Sequence, residues 1–353
     1  MEPPPEADPM AEQKKKFERL GDHVYELQHE EDPEAVIVFF HGLLIQETDT
    51  GHAFWSTWTK RNTLECWPVT MLPKFLESRA KREKGEESPP RPFRIRVLAV
   101  SYEGRMSVHP DIGTAGTDKY LLAESLISEL ILSPQDLIRG SKAVEDNDVP
   151  VFLVGHDLGG LIIKNFVMEV ERTIPKKNED ADGEKLQNFL SNLKAVFFYA
   201  TPHSGSQAIE YLAKQIPEDS RNQMLTLMSV LGTDMARINS VFSTYRSGIG
   251  DNLNHPRFKT YGIVPTSLTN QRGFVRTMVV LEASARCDMD TFFSVEADHF
   301  QVCQPQATWS GSITHLGDEV YDEVSKIREF EDLRIFNAQN IAAAGRPLRL
   351  QQY

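Results

Sequence analysis

The chain has 353 residues, enough for one large α/β domain or two small ones with a substantial core. Its 38 Lys and Arg against 51 Asp and Glu give a formal charge of -13, which argues against a nucleic-acid partner, since no basic cluster exists beyond short runs such as Lys14-Lys15-Lys16. Three dispersed cysteines, Cys66, Cys287 and Cys303, exclude a disulfide framework or a cysteine-based metal centre and fit a reducing compartment.

Residues 1–16, opening "MEPPPEADPMAEQ", offer charge and proline but little to bury, and are expected to be a disordered tail without secretory or organellar targeting character. No apolar stretch reaches the roughly 18 residues of a membrane span. The expectation is a cytoplasmic protein with no transmembrane segment, no cofactor and no metal.

The elements then follow in order. "HVYELQH" alternates as a half-exposed strand does, and "EAVIVFFHG" is the continuous apolar run of a strand buried on both faces. "FRIRVLAVSY", "VPVFLVGH", "LKAVFFYATPH" and "RTMVVLEAS" repeat that signal. Helical patterns lie between them, in "DKYLLAESLISELIL", in "LGGLIIKNFVMEVERT" and across Ser206 to Ser247; an amphipathic closing helix is expected from Ile313 to Phe336. Alternating strands and helices predict one doubly wound α/β domain over 17–340, with a helical, cap-like insertion at 206–250 and a C-terminal tail at 341–353. The insertion's Met and Leu residues at helical spacing read first as core packing.

Ligand sites in such sheets lie beyond the carboxyl ends of the strands. There the sequence places His41-Gly42, Ser101-Tyr102, His156-Asp157, Thr201-Pro202-His203 and Glu282. The run Gly155-His156-Asp157-Leu158-Gly159 has the spacing of a nucleophile elbow, in which small flanking residues allow a sharp strand-to-helix turn, but its centre is a carboxylate instead of a serine. Acyl transfer also needs a base, an acid to orient it and donors for an oxyanion. His299 is the candidate base, late in the chain; Glu282 is the candidate orienting acid, with Asp288, Asp290 and Asp298 as competitors. The amides of Leu43 and Leu158 are the candidate oxyanion donors, and His41, Gly42, His156, His203 and Tyr211 are candidate substrate contacts.

Taken together, "FFHGLL", "FWSTW", "WPVTMLP", "RIRVLAVSYEG", "LVGHDLGGLIIK", "FFYATPHSGS", "VVLEASAR" and "ADHFQVCQP" resemble the "serine active site containing" group of α/β-hydrolases, particularly its plant-like members, with a more distant similarity to GPI-inositol-deacylase-like lipases. The resemblance spans roughly 22–325. It implies an α/β-hydrolase fold and action on lipid or other ester substrates. Family members commonly read GHSLGG where this chain reads GHDLGG, so the nucleophile role passes to Asp157 by position only.

An ionised carboxylate can attack an alkyl carbon and leave an alkyl ester for water to cleave, as in epoxide hydrolases and haloalkane dehalogenases of this fold. Those enzymes usually carry Trp where this chain has Leu158 and Pro where it has Leu44, and need an aromatic donor, for which Tyr211 and Tyr245 are candidates. Attack on an ester would instead give an anhydride. Three readings follow: an ester or lipid hydrolase, a non-catalytic protein that binds a small-molecule or lipid-like ligand or a protein partner, and an Asp-nucleophile hydrolase.

Overall fold

The computed structural model describes residues 16–45, 51–60, 63–84, 91–108, 118–135, 137–138, 149–174, 181–247, 258–270 and 274–344. The expected N-terminal tail lies outside them except for Lys16, and the C-terminal tail outside them beyond Ala344.

Eight strands form one sheet: β1 (Glu18–Arg19), β2 (Val24–Gln28), β3 (Ala35–Phe40), β4 (Ile95–Val100), β5 (Val151–His156), β6 (Leu193–Tyr199), β7 (Lys259–Pro265) and β8 (Thr291–Val295). Their order is β1-β2-β4-β3-β5-β6-β7-β8. Strand β2 runs antiparallel to both of its neighbours, and β4, β3, β5, β6, β7 and β8 pair in parallel. The α-helices of five or more residues are α1 (Leu72–Lys84), α2 (Lys119–Leu126, continued by a π-helical turn to Ile131), α3 (Leu158–Thr173), α4 (Ala181–Asn192), α5 (Gln207–Ala213), α6 (Thr233–Ser247), α7 (Glu282–Arg286) and α8 (Gly311–Ala344).

Alternation along each strand divides the core between the two faces of the sheet. Val36, Val38, Phe40, Leu153 and Phe198 pack with Leu122, Leu126, Leu161, Phe166 and Phe189 of α2, α3 and α4. Ile37, Phe39, Phe152, Val154 and Phe197 face the other way, against Trp55, Trp58, Trp67, Phe75 of α1 and Ile313, Leu316 and Val320 of α8. Removing a large apolar side chain of this kind, Phe75 for example, costs about 3–5 kcal/mol. The indole N–H of Trp67 donates to the Cys303 carbonyl at 2.9 Å, tying this layer to the segment that follows His299.

One expected strand is absent. Residues of "RTMVVLEAS" form irregular chain with a single bridge, Thr269 to Thr277, and then open α7 at Glu282. Val279 and Val280 are buried as loop residues. The sheet instead takes "KTYGIVP" as β7 and "TFFSV" as its edge strand β8. The closing helix α8 is longer than expected, running 34 residues. In the insertion, Met224, Leu227, Met228, Met235, Ile238 and Phe242 are buried in the core.

Candidate functional site

Strand β5 ends in His156, and Asp157 turns the chain into α3 with φ 51° and ψ -118°. A non-glycine residue in the left-handed region costs about 1–3 kcal/mol and persists where the surroundings enforce it. Here the Asp157 amide donates to the Tyr199 carbonyl at 2.9 Å, and the helix starts close beneath β3. A Cβ on Gly159 would lie 2.3 Å from the Phe40 carbonyl oxygen. Gly42 is equally constrained: a Cβ there would meet His156 Nδ1 at 2.6 Å and Asp157 Cβ at 2.9 Å. Both glycines let the backbone after β3 close against the turn.

That approach brings Leu43 to the carboxylate. Its N–H donates to Asp157 Oδ2 at 3.1 Å, while His299 Nε2 lies 3.5 Å from Oδ1. Asp157 is 1% exposed and His299 2%. Burial pushes the Asp157 carboxyl up to about 7, against the lowering effect of hydrogen bonds from the Leu43 and Leu158 amides. Asp157, His299, Leu43 and Leu158 therefore meet at one point, with the carboxylate held by both donor amides and facing the histidine.

The loop carrying His299 leaves the end of β8 and is fixed from several sides. The His299 N–H donates to Thr269 Oγ1 at 3.2 Å, and its carbonyl accepts from His156 Nε2 at 2.9 Å. His156 thus braces the His299 backbone, its ring 4.9 Å from that of His299. His41 is fully buried, donates through Nδ1 to the Gly42 carbonyl at 2.8 Å and stacks on Tyr102 at 4.0 Å. Burial lowers its pKa to about 4, so a neutral ring supports the Gly42–Leu43 turn. Tyr102 completes that support by donating its hydroxyl to the His41 carbonyl. Its place after β4 was legible in the sequence; the contact was not.

Other candidates stand elsewhere. Glu282 does not orient His299: it is on the exposed first turn of α7 and pairs with Arg286 at 2.9 Å, because the strand expected to carry it inward is irregular chain. Asp288 pairs with Arg246 at 2.8 Å, Asp290 accepts from the Thr260 amide at 3.0 Å, and Asp298 Oδ1 accepts from the amides of Phe300 and Gln301. The stretch after β7 reads Thr266-Ser267-Leu268-Thr269-Asn270, without a carboxylate. Tyr211 is 67% exposed on α5, and Tyr245 lies within electrostatic reach of Glu171 and Glu169 of α3. His203 is buried edge-on to Phe198, where burial and the Lys164 ammonium hold its pKa well below the usual histidine range.

Among the described residues, one small pocket beside the elbow is lined by Gly42, Leu43, Leu44, Ser56, Thr57, His156, Phe300 and Gln304 and has a volume of about 20 Å³, the size of a single water. Among the described residues no group of three or more His, Cys, Asp or Glu is placed to hold a metal, and no helix is long and apolar enough to cross a membrane.

The strand order, the strained turn between β5 and α3, and the histidine after β8 define an α/β-hydrolase fold. No family model matches the chain. Among curated proteins it is similar to Protein SERAC1 of Danio rerio, 22% identical over 287 residues (77% of this chain, 36% of that one), and of Homo sapiens, 21% identical over 308 residues (82% and 39%). The chain spans less than two-fifths of these relatives' length. Similar solved structures include phospholipase PlaB from Legionella pneumophila in complex with thio-NAD (11% identity, TM-score 0.46, 84% of this chain and 62% of that one) and the mature lipase BlEst2 of Bacillus licheniformis (15%, 0.38, 80% and 94%). A third is YbtT, a type II thioesterase of the yersiniabactin pathway (14%, 0.39, 84% and 99%).

Proposed function

We propose that this chain is a hydrolase-fold protein that binds a lipid-like ligand without turning it over, its elbow carboxylate standing where an ester hydrolase would develop an oxyanion. One observation carries the reading: Asp157 Oδ2 accepts the Leu43 amide at 3.1 Å. In acyl transfer that donor stabilises charge that appears only in the transition state. Here it is committed to a resident carboxylate. Loss of a triad serine forfeits most of the rate of such a site, leaving roughly 10³–10⁴ over water from donors and binding alone.

A second reading has its own support. Oδ1 faces His299 at 3.5 Å while Oδ2 is held by an amide, an arrangement in which Oδ1 attacks an alkyl carbon and the resulting ester carbonyl stays on the Leu43 donor. Incubating the protein with a panel of esters, thioesters, epoxides and alkyl halides, followed by peptide mass spectrometry, separates the two. The binding reading expects no turnover and an unmodified Asp157 peptide. An alkyl ester on Asp157, or ester hydrolysis abolished by His299→Ala, overturns it.

A further inference from the structure

A larger concave feature lies apart from the elbow, between α5 with the turn at Val230-Leu231 on one side and Phe274–Ser284 on the other. We propose that this groove holds a single uncharged acyl chain; the assignment deepens the binding reading above and rests on it only for the absence of turnover. The groove has a volume of about 730 Å³, within the roughly 300–1,000 Å³ of small-molecule sites. Among the described residues that line it none is Asp, Glu, Lys, Arg or His, although a quarter of the chain is charged. A carboxylate or phosphate drawn into such a wall would lose its water with no charged partner in return. An uncharged chain loses nothing of that kind and gains from apolar burial.

Three of the lining hydroxyls already have partners within the protein. Ser206 donates to the Val279 carbonyl, Ser284 to the Gly205 carbonyl at 2.8 Å, and Thr277 to the Val275 carbonyl at 3.0 Å. The wall therefore presents mainly carbon, with the Ser204 hydroxyl, the Gln207 amide and the Tyr211 phenol as neutral polar groups for an ester or hydroxyl head. Around it stand apolar side chains that water covers poorly: Leu231 is 85% exposed and Val275 77%. Leu231 is also held at φ 54°, a left-handed conformation costly for leucine. A ligand in the groove covers both side chains.

Asp157, His299, Leu43 and Leu158 are not among the described lining residues of the groove. Phe274 belongs to its wall and lies 6.3 Å, ring to ring, from Phe300, whose ring is edge-on to His299 at 5.0 Å.

The test uses the full chain and 1-monopalmitoylglycerol below its micellar concentration, followed by isothermal titration calorimetry. The expected result is saturable one-to-one binding with a negative heat-capacity change, and binding of ionised palmitate weaker by about tenfold or more. Ala283 lines the groove from an exposed position, so Ala283→Trp fills it with the melting temperature unchanged and weakens binding by about tenfold or more. No saturable binding by the parent, or equal binding by a folded Ala283→Trp, overturns the site. Equal affinity for ionised palmitate overturns its restriction to uncharged chains. A dimer in sedimentation that Ala283→Trp dissociates identifies a second copy of the chain as the occupant and overturns the lipid. Release of palmitate from the probe by the parent overturns the non-catalytic reading alone, provided that binding still fails in Ala283→Trp.

Discussion

The Leu43 amide and the Asp157 carboxylate, 114 positions apart in sequence, are joined by a 3.1 Å hydrogen bond. Residue 157 therefore links the backbone donor after β3 to the histidine after β8, and it does so with the group that an ester hydrolase would leave out. A serine side chain is shorter and cannot span the same distance. The behaviour of variants at this position follows from that difference in reach.

Asp157→Ser releases the Leu43 and Leu158 amides and puts a hydroxyl under His299. Hydrolysis of p-nitrophenyl acetate, a small activated ester, should appear in this variant and be absent from the parent. Adding His299→Ala should remove roughly 10²-fold or more of the gained rate, the usual worth of a positioned base. A serine variant as inert as the parent, or one indifferent to His299, would mean that these parts do not act together.

Asp157→Asn tests the buried carboxyl. Burial raises its pKa from 3.8 to about 7, so between those values the folded state keeps a proton that the unfolded chain has lost. Its contribution to stability falls as pH rises through that window. His41, lowered from 6.5 to about 4, acts in the opposite direction: the unfolded chain binds the extra proton, and its contribution grows as pH rises between those values. His203 has the same sign. The asparagine keeps an acceptor for Leu43 and removes only the first effect. Its melting temperature should exceed the parent's at about pH 8 and converge with it near about pH 4. Parallel curves for the two proteins would contradict the assignment.

Much of this architecture was legible because burial on both faces writes itself into a strand as an unbroken apolar run, as in β3, β4, β5 and β6. Strand β8 is a short edge strand that stays partly exposed, and "TFFSV" leaves a weak trace. "RTMVVLEAS" misleads for the opposite reason: Val279 and Val280 are buried as loop residues beside the insertion, and an apolar run cannot distinguish a strand from such a segment. That error carried Glu282 into the site. His299 entered the candidate site through chain order alone, and Leu43 through the turn after the first buried strand. The rings of Phe274 and Phe300 were not legible, because their contact joins segments with no shared periodicity.

Glu282→Gln checks the corrected position directly. A carboxylate on an exposed helical turn, paired with Arg286 four residues on, is worth little in water. Unfolding in urea should shift by less than about 0.5 kcal/mol. The esterase activity of Asp157→Ser should be unchanged when Glu282→Gln is added. A tenfold loss there would restore Glu282 as the orienting acid and require α7 to turn inward.

Lys164, on α3 one turn beyond Gly160, is 1% exposed, and its ammonium donates to Asn239 Oδ1 at 2.8 Å. Asn239 in turn donates from Nδ2 to the His203 carbonyl at 2.7 Å, so one amide fastens α6 both to α3 and to the loop after β6. Burial lowers the Lys164 pKa from 10.5 to about 8, and the residue is still mostly charged at neutral pH. Asn239→Ala strips a buried cation of a hydrogen-bond partner and should cost about 1–3 kcal/mol in urea unfolding. Lys164→Met removes the buried charge itself and should cost less, or stabilise, with Asn239→Ala adding less in that background than in the parent. The pH dependence has a definite sign: between about 8 and 10.5 the unfolded chain holds a proton that the folded state has released, so the contribution of Lys164 rises with pH and the Asn239→Ala penalty shrinks across the same window. An equal penalty at about pH 7 and about pH 9 would show that Asn239 acts only through His203 and not through the ammonium.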